Sequence, residues 1–334
     1  MEDIVMLRSR DTQEKGWFKD KGLPFVAVVL AVVFACGSVY AKPRHQKSYS
    51  SPKEAVKAMV DAVKADNTQL LLRIFGPGSK AIVLSGDTVQ DKEGREWFVK
   101  HYEEKNRLEE VSGKATLHVG KDDWPFPISI VKTEKDWKFD TKAGKQEILA
   151  RRVGRNELSA IQVCLAYVDA QKEYAMRKGL QGKGLLEYAQ EFISKPGKQE
   201  GLYWEAGEGQ EQSPMGPLFA AARDAGYGGE PLGGTPTPYH GYLYRILKAQ
   251  GKNAPGGARD YVVEGKMIGG FALIAYPARH GSSGVTTFIV NQDGVVYQKD
   301  LGKNTREAAQ AIMAIDPDET WTQANQEQHQ GLQK

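Results

Sequence analysis

Val285-Thr286-Thr287-Phe288-Ile289-Val290-Asn291-Gln292-Asp293-Gly294-Val295-Val296-Tyr297 sets two β-branched runs on either side of an Asp-Gly pair. Such runs read as an antiparallel hairpin, 285–290 against 295–299. Gly294 meets the positive φ that a tight connection of this kind requires. Upstream, Phe271 to Tyr276 is a continuous apolar run stopped by Pro277. Tyr242 to Leu247 alternates, with Tyr242, Tyr244 and Ile246 on one face. Three successive antiparallel strands make a meander, and the 242–247 strand is expected to join it.

Helices flank this sheet. Gly154-Arg155-Asn156-Glu157 is expected to open a long helix, with Asn156 as its cap. Leu158, Ile161, Cys164, Leu165 and Val168 form its apolar stripe, and Lys178-Gly179 is its stop. Asn304-Thr305-Arg306-Glu307 opens a last helix with Ala309, Ile312 and Met313 inward, ended by Asp316-Pro317. Between the long helix and the sheet lies a glycine- and proline-dense stretch, 179–238. Short helices are expected there at 185–193 and 217–225. No strand precedes these glycines and no Gly-Lys-Ser or Gly-Lys-Thr follows, so they read as turns and not as a phosphate loop.

A different pattern occupies 51–152. Ser51-Pro52-Lys53-Glu54 is a capping box with proline at the first helical position, and Val56, Met59, Val60 and Val63 form the stripe behind it. A second helix runs from Thr68 to Phe75. A third runs from about Gln90 to Asn106, with Trp97, Phe98 and Tyr102 on one side. Then the period becomes two, at Ala115 to Val119, Ile128 to Lys132 and Trp137 to Asp140, the last two forming a hairpin. A short basic helix, Lys145 to Arg152, closes the segment. Helices followed by an antiparallel sheet make an α+β fold.

The N-terminus speaks to location. Leu23 to Ala35 is unbroken apolar sequence after Arg8, Arg10, Lys15, Lys19 and Lys21, and it leads into Val39-Tyr40-Ala41. That is the layout of a secretory signal over 1–41. Three fates fit it: cleavage after Ala41, lipidation at Cys36 within the lipobox-like Val33-Phe34-Ala35-Cys36-Gly37, or retention as an anchor. Translation from Met6 would shorten its leading region. The chain is therefore expected to be exported, periplasmic or secreted. Residues 42–50 read as a flexible polar leader, 153–320 as a second domain, and the Gln-rich 321–334 as a disordered tail.

The net charge of +3 gives no reason to invoke nucleic acid, and membrane contact is expected only through an N-terminal anchor. With 1–41 removed only Cys164 remains, so no internal disulfide is expected. Cys164 sits on an apolar stripe and reads as a core residue.

Segments Pro238 to Leu247, Gly270 to Pro277 and Thr287 to Tyr297 resemble a family of exported bacterial proteins known only as a domain of unknown function. The likeness includes Trp137-Lys138-Phe139-Asp140 and Gly154-Arg155-Asn156-Glu157 and covers nearly all of the mature chain. It implies export and transfers no activity. The order of the first half, a capped helix, a short second helix and a hairpin closing on Trp137 to Asp140, is similar to the cone-shaped fold of nuclear transport factor type, which often holds a pocket. The order of the second half, long helix, glycine loop and meander, resembles type II pseudopilins. A pilin helix begins at the mature N-terminus and this one follows a whole domain, so the resemblance implies a pilin-like globular fold and not a filament subunit.

Chemistry is sparse. In a cone-shaped domain His118 and Asp140 are the candidates for acid or base. His240, Tyr242, Tyr244 and Arg245 are candidates for a binding surface. Gly281-Ser282-Ser283-Gly284 beside His280 lacks a nucleophile elbow. His240 and His280 lie forty residues apart without a carboxylate pair at ligand spacing, Asp316-Pro317-Asp318-Glu319 lacks a calcium loop, and no cofactor motif is read. Three functions follow as expectations: a non-enzymatic binding or scaffolding protein of the envelope with protein partners there; a hydrolase- or isomerase-like enzyme using a pocket of the first half; or a lipid-anchored accessory factor of a secretion or pilus-like machine.

Overall fold

Most helices of the N-terminal half start at a side-chain cap. Ser51 accepts a hydrogen bond from the Glu54 amide at 3.3 Å and starts α1 (Pro52–Lys64). Asn67 does the same, from the Leu70 amide, for α2 (Thr68–Phe75). After the single turn α3 (Lys80–Val83), Asp87 caps α4 (Thr88–Glu104). The computed structural model describes residues 45–181, 186–207, 209–227 and 237–324.

Five strands follow: β1 (Asn106–Val111), β2 (Lys114–Val119), β3 (Trp124–Pro125), β4 (Ile130–Lys132) and β5 (Trp137–Phe139). They pair antiparallel in the order β1-β2-β4-β5, with β3 on β2. On β2, Ala115, Leu117 and Val119 are buried, while Lys114, Thr116 and His118 take the opposite face, the period-two signature of a half-covered sheet. The buried face meets Met59, Leu71, Ile74, Phe75 and Phe98 in one core.

Then comes α5 (Thr141–Gln181), 41 residues long. The two separate helices expected here are one. Lys145–Arg152 and the helix from Gly154 are one continuous element, and Gly154 does not interrupt it. A glycine inside a helix costs only about 1 kcal/mol, less than the packing on either side supplies. Ile148 and Leu149 pack on the first core, whereas Ala160, Ile161, Cys164, Tyr167 and Val168 belong to the second. Asn156 is therefore mid-helix and buried, not a cap.

The remaining elements are α6 (Gly216–Asp224), β6 (Tyr242–Leu247), β7 (Ala249–Gln250), β8 (Arg259–Asp260), β9 (Val262–Val263), β10 (Lys266–Met267), β11 (Ala272–Pro277), β12 (Thr286–Asn291), β13 (Val296–Asp300), α7 (Thr305–Ala311) and β14 (Thr322–Gln323). The meander stands as read, β11-β12-β13 with β6 on its edge. It continues through β14, so the sheet order is β14-β13-β12-β11-β6. Gly294 has φ 76° in the connection. The second core lies between this sheet and α5, with β11 buried at all six positions. The class is α+β.

Several expectations fail locally. Residues 45–50 are not a loose leader: the Gln46 side-chain amide donates to Phe139 O at 2.7 Å and Ile74 O at 3.2 Å, and Tyr49 bridges to Trp137. Thr322–Gln323 forms a strand instead of starting a disordered tail, because β13 offers it a free edge. Residues 186–193 form no helix; Tyr188 and Ile193 make isolated bridges to Met267 and Tyr203. Helix α7 stops at Ala311, and Met313 is exposed. The expected signal 1–41, including Cys36 and Ala41, lies outside the described residues, as do 228–236 and 325–334. Among the described residues no helix is long and apolar enough to cross a membrane.

Candidate functional site

A cavity of about 590 Å3 opens between α4 and the start of α5. Its apolar lining comes from α1 and α2 (Met59, Val63, Leu71, Phe75), from Phe98 of α4, and from Phe126 and Ile128 ahead of β4. These side chains point there because they are the stripes that also build the first core. Phe98 and Phe126 stand 5.5 Å apart, and Trp97 meets Trp124 edge-on at 5.4 Å. The volume falls within the roughly 300–1,000 Å3 typical of small-molecule sites.

The polar lining is mainly arginine: Arg95 from α4, and Arg151, Arg152 and Arg155 from α5. Spacings of three and four residues place Arg155 beside both Arg152 and Arg151 on the surface of α5. Arg95 pairs with Asp66 at 2.8 Å. Arg151 pairs with Glu147 at 2.6 Å and lies over the Trp124 ring. Arg152 donates to Ala81 O and Ile82 O, each at 2.7 Å, closing the end of α3, and its burial lowers its proton affinity. Arg155 is exposed and makes no hydrogen bond or ion pair among the described residues. Two carboxyls join the lining. Asp91 is raised above the ordinary carboxylate range by burial, and both its oxygens accept from the Ser85 amide. Glu93 is raised by burial and by the nearby Asp87 and Glu96.

Gly94 also lines the cavity, mid-way along α4, and a Cβ built there meets nothing within 4 Å. The opposite holds at Gly144 on α5, where a Cβ would lie 2.5 Å from Pro127 O and 2.8 Å from Ile128 Cα. Gly144 thus lets α5 sit directly on the loop before β4.

Beside the cavity a polar node ties the two cores together. Asp87, 1% exposed, accepts from Gln90 N at 3.0 Å, Gly241 N at 2.8 Å and the Tyr227 hydroxyl at 2.9 Å. Burial and the Asp87 carboxylate push the Tyr227 phenol far up, so it stays a donor. Asn156 bridges Gln90 and Ser283 O, and Arg279 reaches Leu84 O at 2.8 Å.

The residues singled out from sequence are scattered. His118 lies on the sheet face away from the core and the cavity, within 3.2 Å of Glu109 and 3.4 Å of Asp123. Asp140 accepts from Ala143 N at 3.2 Å, a cap on α5. No hydrogen bond joins the two. His240 (φ 47°) packs against Tyr239 and Tyr227; burial lowers its pKa, against a smaller opposite effect of Asp87. Tyr242 is buried and donates to Thr286 O at 2.8 Å. Arg245 donates to Ala309 O and Ile312 O, closing the end of α7. Tyr244 lines a second, larger groove of about 1,580 Å3 with Tyr203, Trp204, Phe219 and Tyr239. His280 pairs with Asp300 at 2.8 Å, while the Ser282 and Ser283 hydroxyls donate to backbone carbonyls. Burial pushes the Cys164 thiol up to about 12, so it is held as the unreactive thiol.

The cavity residues went unremarked in the sequence because Trp97 and Phe98 read as an ordinary helix face and Gly154 as a break. Had α5 been read as continuous, Arg155 would have stood beside both Arg151 and Arg152 on one helix. No curated protein and no solved structure matches the chain, so neither the cone-type nor the pilin-type likeness is confirmed. Residues 46–324 match a family described as a protein of unknown function, and the chain belongs to that DUF2950 family.

Proposed function

We propose that this protein is a non-enzymatic binding module that works outside the cytosol, and that its ligand enters the cavity between α4 and α5. The observation that carries this reading is the cavity itself: apolar at its base, aromatic at Trp97 and Trp124, and cationic along α5. Gly94 supports it, since a glycine inside α4 costs helix stability and leaves the lining open where an added Cβ would meet no atom within 4 Å. Export is supported by the apolar run Leu23 to Ala35 and the small residues before Ala41. The enzyme reading draws less support, because His118 and its carboxylate neighbours face away from the cavity.

The test uses the neutral fluorophore N-phenyl-1-naphthylamine on the full chain. Wild type is expected to bind it with a rise in emission, and Gly94→Phe, which fills the opening while keeping a better helix former than glycine, is expected not to. Equal binding by both proteins, or by neither, overturns the reading. Mass spectrometry of the mature N-terminus in the producing bacterium tests export: a first residue of Lys42 or a lipidated Cys36 supports it, and an uncut chain free in the cytosol overturns it.

A further inference from the structure

On the reading of the α4–α5 cavity as a binding site, we propose that its ligand is a single-chain amphiphile with a carboxylate head, its chain among Phe75, Phe98, Phe126 and Ile128 and its head on Arg155. The base of the cavity has no charged group to satisfy, which suits a hydrocarbon chain. The polar lining holds four guanidiniums against two carboxyls. Three of the four are occupied: Arg95 by Asp66, Arg151 by Glu147, and Arg152 by two carbonyls. Arg155 alone of the four has no hydrogen bond or ion pair among the described residues, and its planar fork matches a carboxylate. Of the acids, Asp91 is turned to the Ser85 amide. Glu93 lies on α4 and is the group that would oppose an anion, so the head belongs on the α5 side.

The experiment displaces bound N-phenyl-1-naphthylamine from the full chain with dodecanoate, 1-dodecanol or dodecyltrimethylammonium, each below its micelle concentration. Dodecanoate is expected to displace the probe at about tenfold lower concentration than dodecanol, the worth of one charge-assisted pair. Arg155→Gln, an exposed change that leaves the core untouched, is expected to erase that preference while dodecanol is unaffected. Equal displacement by dodecanoate and dodecanol, a preference for the ammonium, or a preference that survives Arg155→Gln overturns the carboxylate assignment and leaves probe binding, and with it the cavity reading, intact. Failure of the probe to bind at all overturns both.

Discussion

Replacing Asp87 by alanine is expected to weaken the whole fold, because one carboxylate holds groups from three places in the chain. It caps α4 through Gln90 N, and it accepts from Tyr227 and from Gly241 N, 154 residues away. Loss of the cap costs about 1 kcal/mol. The buried Gly241 amide, left without an acceptor, costs about 1–3 kcal/mol, and the half-buried Tyr227 hydroxyl about 1 kcal/mol. Together these put Asp87→Ala at about 3–5 kcal/mol below wild type, a fall of roughly 10 °C in Tm. Urea unfolding followed by circular dichroism measures it. Tyr227→Phe should cost about 1 kcal/mol alone and less on top of Asp87→Ala, since the bond to Asp87 is then already gone and only the long 3.4 Å contact accepted from the His240 amide is left to lose. A loss below about 1 kcal/mol for Asp87→Ala would refute the claim that this buried acceptor is what satisfies those donors.

Other outcomes follow from the same geometry. Gly94→Ala should raise stability by about 0.5–1 kcal/mol, seen as a higher urea midpoint, because the new methyl meets open space on an exposed helix. The same change at Gly144 should lower it by about 1–3 kcal/mol despite alanine's better helix propensity, because the methyl would overlap Pro127 O and Ile128. Burial depresses the His240 pKa below its ordinary value near 6.5, so the stability tied to its neutral ring is present above that pH and is lost as pH falls through the lower folded value. His240→Asn, which tolerates the positive φ of 47°, should flatten that acid-side fall in Tm; an unchanged slope would place the effect on another group.

Much of the secondary structure was legible. The capping box at Ser51 to Glu54, the alternation over 115–119 and the Asp-Gly hairpin each carry their cause within a few residues, so local chemistry predicted them. The errors lie where neighbours outvoted local preference. Gly154 read as a boundary, yet α5 runs through it because cores on both sides hold it. Gln46 and Thr322 sit in polar stretches and looked loose, yet each meets unpaired backbone groups of a distant segment. The site was less legible than the fold. Histidines drew notice as chemical groups, but His118 landed on an outer face and His240 in an aromatic packing cluster.

Composition and periodicity alone settle that this chain mixes helices with antiparallel strands, that its meander turns at Gly294, and that Cys164 is a core residue, because each depends on contacts a few residues away or on burial of one stripe. That Asn156 meets Gln90, that Arg152 reaches the carbonyls of Ala81 and Ile82, and that Asp87 reaches Gly241 are facts about residues 66 to 154 positions apart. Spacing along the chain does not encode such pairings; they appear only once α5 bridges both cores and brings α4, β4 and the loop before β6 to one place.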